Sequence, residues 1–129
     1  MAKGGLRAAF FCLLAGLALP ALPHGDHDPK HGGIIGRSND EVIVELTIED
    51  GVAVLYLHDE QEKPIPAQTV KGTLTLVPAQ RPRQSVPLVP AGGNKLTAPG
   101  LKPVSGDNLR AYFTLPNGDV VTSAFLFSR

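Results

Sequence analysis

The chain predicts an all-β fold built as an antiparallel sandwich, and three observations carry that prediction. Apolar and polar residues alternate with a period of two through most of the sequence after residue 24. Gly, Pro, Asn and Asp punctuate the alternating runs at short intervals, where strands must turn. No stretch there repeats apolar residues at the spacing of three and four that an amphipathic helix needs.

The first 22 residues stand apart. Lys3 and Arg7 precede an apolar run from Ala8 to Leu22, the order of a basic and then an apolar region in a secretory signal peptide. The run is shorter than the roughly 20 residues that cross a bilayer, and an uncleaved membrane anchor is the alternative. Small residues at Ala18 and Ala21 place cleavage near Ala21, while Pro20 and Pro23 leave a cut after Ala21 or after Pro23 both open. Cys12 sits inside the apolar run rather than just after it, which disfavours a lipoprotein. Export, to the periplasm, would remove Cys12 and Met1, the only sulfur-bearing residues, and with them any disulfide or thiolate ligand. It would also remove Lys3 and Arg7, leaving ten bases against twelve acids. That balance argues against a nucleic-acid partner, which calls for a basic footprint.

Residues 23–32 then read as a flexible, histidine-rich arm, and 33–129 as the sandwich. GIIG at 33–36 gives a short first strand. EVIVELTIED sets Val42, Val44, Leu46 and Ile48 on one face and Ile43, Glu45, Thr47 and Glu49 on the other. Asp50-Gly51 supplies the positive φ angles of a type I′ hairpin turn into VAVLYLHD. With Glu49 and Val52 flanking the turn, Thr47 pairs with Val54, Glu45 with Tyr56 and Ile43 with His58. The face with Val42, Val44, Leu46, Ile48, Ala53, Leu55 and Leu57 carries no charge and is the predicted core face. Asp59 to Gln68 form a connection, because Pro64 and Pro66 bar regular pairing. TVKGTLTLVPA, SVPLV and NKLTA supply further strands. LRAYFTLP and DVVTSAFLF close the chain around Pro116-Asn117-Gly118. The total is seven or eight short strands, whose spacing and length suit an immunoglobulin-like sandwich.

Absences narrow the chemistry. There is no GxSxG elbow, no phosphate-cradling glycine loop and no cysteine nucleophile outside the leader, so no enzyme is expected. Histidine remains. His24, His27 and His31 are spaced by three and four with Asp26 and Asp28 between them, while Gly25, Pro29, Gly32 and Gly33 oppose a helix. An arm that wraps a divalent ion is one reading, and a polar tail with no function is the other. Imidazole and carboxylate suit Zn2+ or Cu2+, with Ni2+ and Co2+ also open, whereas copper(I) prefers sulfur. His58 is the fourth candidate ligand. It is either a partly exposed strand residue bonded to Glu45 or Asp59, or it joins the arm, which requires the GIIG strand to lie beside the hairpin.

PKHGGII, the VIVELTIEDGVAVLYLHD hairpin, Lys63-Pro64-Ile65, the TLTLVPA strand and PAGGN at 90–94 together resemble small exported proteins of heavy-metal efflux loci. They are also similar to the N-terminal β-domain of cobalt-zinc-cadmium efflux adaptors. The resemblance spans about residues 29 to 127 and implies an immunoglobulin-like periplasmic module concerned with divalent metals. The positions it carries over are His31, Gly32, Gly33, Asp59, Lys63 and Pro64, of which His31 is the only histidine. This chain departs from it at Glu60-Gln61-Glu62, where related loops more often run His-Gly or Asn-Gly before Lys-Pro. The expectation is therefore a metal-binding accessory protein that buffers a divalent ion or delivers it to an efflux adaptor. The alternative is a non-catalytic interaction module of the cell envelope with no metal role.

Overall fold

The computed structural model describes residues 27–128. The leader and His24 lie outside the described residues. Among the described residues there are ten strands: β1 (Ile34–Ile35), β2 (Arg37–Ser38), β3 (Val42–Glu49), β4 (Val52–Asp59), β5 (Lys71–Val77), β6 (Gln84–Pro87), β7 (Val89–Pro90), β8 (Lys95–Ala98), β9 (Asn108–Thr114) and β10 (Val120–Leu126). They form two five-stranded antiparallel sheets, ordered β1-β3-β4-β8-β7 and β2-β10-β9-β5-β6. The fold is an all-β sandwich.

The β3–β4 hairpin has the predicted register, with Glu45 opposite Tyr56 and Ile43 opposite His58. Asp50 and Gly51 both take positive φ, 52° and 76°, which matches the twist of the flanking strands. Val44, Leu46, Leu55 and Leu57 are buried between the sheets with Leu74, Leu96, Leu109, Phe113 and Val121. Each such side chain contributes roughly 1.5–3 kcal/mol before conformational entropy is subtracted.

Two differences from the sequence reading matter. Ten strands stand where seven or eight were expected, because the chain changes sheets within two of the expected segments. GIIG ends at Gly36: β1 pairs with β3 in one sheet, while β2 pairs with β10 in the other. The crossing is tight, since a Cβ on Gly36 would lie 2.1 Å from the Ser123 hydroxyl. SVPLV likewise splits at buried Leu88, whose N–H donates to the Gly72 carbonyl.

The second difference concerns the outer face of β3 and β4, where one reading made His58 partly exposed. Ile43, Glu45, Thr47, Val54, Tyr56 and His58 are all buried. The arm that precedes β1 docks on this face at Glu45 and Tyr56.

Candidate functional site

Glu45 and Tyr56 are cross-strand partners, and the arm closes over both. The Glu45 side chain is 1% exposed, an arrangement that is costly for a carboxylate unless its oxygens are satisfied. Three backbone N–H groups satisfy them. Lys30 donates at 2.9 Å, His31 at 2.8 Å and Gly33 at 2.9 Å. The His31 Nδ1 adds a fourth bond at 3.1 Å. Burial alone would raise the Glu45 pKa. The His31 ring and the three amides outweigh it and hold the carboxyl below its ordinary value.

The local sequence explains how the arm reaches this position. Gly32 has φ +71°, a left-handed turn between the donating amides of His31 and Gly33. Gly33 lies so close to β3 that a Cβ would sit 2.2 Å from the Leu46 carbonyl oxygen. His-Gly-Gly is thus a clasp: a ring to stack, a residue to turn and a residue without a side chain to pass.

His31 lies flat on Tyr56, with ring centroids 3.6 Å apart and planes within 6°. The Tyr56 hydroxyl donates to Glu49, which also accepts from Thr47 at 2.9 Å. Lys95 approaches both Glu49, at 3.4 Å, and the Tyr56 ring, at 5.6 Å. Burial, then the bond to Glu49 and the nearby carboxylates, push the phenol up to about 12, so it stays neutral. Because the Glu45 carboxylate is ionised, Nδ1 of His31 carries the proton. Nε2 is the remaining nitrogen of that ring, on a side chain 36% exposed.

His58 is the second imidazole here, its centroid 6.4 Å from that of His31. It is 7% exposed rather than partly exposed, and its expected partners are engaged elsewhere. Glu45 serves the arm, and Asp59 Oδ1 accepts the N–H of Lys63 in the following turn. Burial, followed by the positive charges of Lys30 and His31, lowers the His58 pKa and favours the neutral ring.

His27 donates from Nδ1 to Glu62 at 3.3 Å, and Lys30 pairs with the same carboxylate at 2.6 Å. The described residues ahead of β1 are thus bonded to the sandwich at His27, Lys30, His31 and Gly33. Glu62 itself has φ +64°, a left-handed backbone that few side chains adopt. The geometric demand of a shared site is met for His31 and His58, since β1 lies beside the hairpin. His27 is bound to the loop at Glu62, and His24 is outside the described residues. Among the described residues, no group of three or more His, Cys, Asp or Glu is arranged to hold a metal ion.

Sequence reasoning offered Glu45 as a partner for His58 rather than for His31, and gave Tyr56 and Glu62 no part in positioning a histidine. One signal was available: Glu45 is a lone acid in the middle of VIVELTIE, with a tyrosine opposite in the hairpin register. No protein-family model matches the chain, and neither a curated protein nor a solved structure matches it.

Proposed function

We propose that the protein is an exported accessory protein of the periplasm that binds a divalent transition metal and buffers it or passes it to an efflux adaptor. His31 and His58 would form the core of the site on an immunoglobulin-like sandwich, with His27 and His24 of the arm as further ligands. One observation carries the reading. The Glu45 carboxylate holds Nδ1 of His31 and fixes the ring, the carboxylate–histidine arrangement in which histidines ligate metals through the other nitrogen. A neutral His58 only 6.4 Å away supplies a second nitrogen, within reach at metal–nitrogen distances of about 2 Å. The donors are imidazoles and carboxylates, which suit Zn2+ or Cu2+, and equally Ni2+ or Co2+. The ion would be cargo, released by ligand exchange, with no covalent chemistry.

A second reading, an envelope interaction module, draws on the fact that His31 already has a structural task in closing the arm. Calorimetric titration of Zn2+ and Cu2+ into the mature protein separates the two. Under the metal reading, His58→Ala weakens binding about tenfold or more, and changing His24, His27 and His31 together to Ala abolishes it. Equal affinities across these variants, or no binding tighter than about a millimolar dissociation constant, would leave the interaction module.

A further inference from the structure

The two sheets present opposite characters to solvent. The outer face of β3 and β4 is buried, whereas the outer face of the β2-β10-β9-β5-β6 sheet is open. Along β9, Leu109, Ala111 and Phe113 point into the core, so Asn108, Arg110, Tyr112 and Thr114 point out. Register extends this outer face across the sheet. Thr73, Tyr112 and Thr122 form one row on β5, β9 and β10. Arg110 and Arg37 belong to the next row, through Ala124, and Lys71 to the row on the other side of Tyr112. Tyr112 is 54% exposed at the centre.

The register places no acid on this face. Arg37, Arg110 and Lys71 form no ion pair among the described residues. Three unpaired cations around an exposed aromatic ring, bordered by threonine hydroxyls, make a surface with a defined complement. We infer that this face binds an anionic polysaccharide. A sugar ring would stack its apolar face on Tyr112, and its carboxylate would take paired N–H bonds from Arg110 or Arg37. The Thr73 and Thr122 hydroxyls would bond to its ring hydroxyls.

Size decides against a protein partner. Five strands at roughly 4.8 Å and seven residues at roughly 3.4 Å make a platform of about 400 Å². A stable protein interface buries about 800 Å² on each side. Composition decides against single-stranded nucleic acid, which favours several stacking aromatics in a strongly basic groove. Here Tyr112 is the exposed aromatic residue among the described ones, and bases equal acids at twelve each over the whole chain.

The test is independent of any metal role. Oligogalacturonate is titrated into the 15N-labelled protein at low salt, with a neutral oligosaccharide of equal length, polyglutamate and oligothymidylate as comparators. The expected result is a set of amide shifts confined to β2, β5, β9 and β10. Tyr112→Ala and Arg110→Gln should each weaken binding about tenfold, Tyr112→Phe should not, and added salt should weaken it throughout. Both positions are exposed, and unchanged thermal unfolding confirms that the variants fold. Absence of binding, shifts centred elsewhere, or equal binding of polyglutamate or oligothymidylate would overturn the inference.

Discussion

The imidazole of His31 and the phenol of Tyr56 stack at 3.6 Å, joining the N-terminal arm to the centre of a sheet. The same imidazole bonds Glu45, the cross-strand neighbour of Tyr56. One side chain on the arm therefore contacts both members of a strand pair, and this sets how the arm should respond to substitution.

His31→Ala removes the stack and the side-chain bond but leaves the three backbone amides on Glu45. A loss of about 1–2 kcal/mol is expected in denaturant unfolding. Amide exchange at residues 30–33 should accelerate well beyond that of β9, which reports release of the arm alone.

Glu45→Ala should cost more, about 3 kcal/mol, because three amides and an imidazole lose their acceptor together. Glu45→Gln keeps an acceptor oxygen without the charge and should fall between that variant and the wild type. Equal unfolding midpoints for the Ala and Gln variants would argue that shape, not hydrogen bonding, holds the arm.

The two glycines of the clasp should separate by mechanism. Gly33→Ala drives a methyl into the Leu46 carbonyl and should destabilise by about 2–3 kcal/mol. Gly32→Ala meets no atom within 4 Å and costs only the left-handed backbone, about 1 kcal/mol. Thermal unfolding of both variants gives the order.

Glu62→Gly should release arm without loss of fold. Glycine relieves a left-handed φ of +64°, a small gain. Loss of the solvent-screened pairs to His27 and Lys30 is a small cost of opposite sign. Global stability should barely move, while proteolysis near residues 27–30 becomes faster.

Acid should weaken the fold in two stages. The unfolded His58 takes up a proton near its ordinary 6.5, while the folded residue, with its lowered pKa, does not. Its contribution is complete above 6.5 and is lost as pH falls from there through the folded value. Glu45 follows the same sign lower down: its contribution is complete above 4.5 and is lost as pH falls through its depressed folded pKa. Melting temperatures from pH 8 to 4 should decline, and His58→Gln should flatten only the upper stage.

Much of the architecture was readable from residues. The β3–β4 register followed from Asp50-Gly51, since a two-residue turn leaves the pairing no freedom. The sheet changes at Gly36 and Leu88 were not readable, because a period of two looks the same in either sheet. The burial of Glu45 was not readable for a related reason. Glu45 has the polarity of a wet surface, and only the segment at Lys30, His31 and Gly33 supplies the groups that let it be buried. For the histidines, spacing suggested a cluster, but spacing could not reveal that a tyrosine and a glutamate would orient His31.

The crossing at Gly36 has a consequence for the order in which the domain assembles. Ser38 bonds Ser123, 85 residues further along, on the last strand. During synthesis, the segment just after the arm must wait for nearly the whole domain before its sheet partner exists. Closing so long a loop is among the slowest steps a chain of this kind takes. β2, although early in the chain, is therefore among the last strands to be sealed, and completion of β10 is the event that locks it in place.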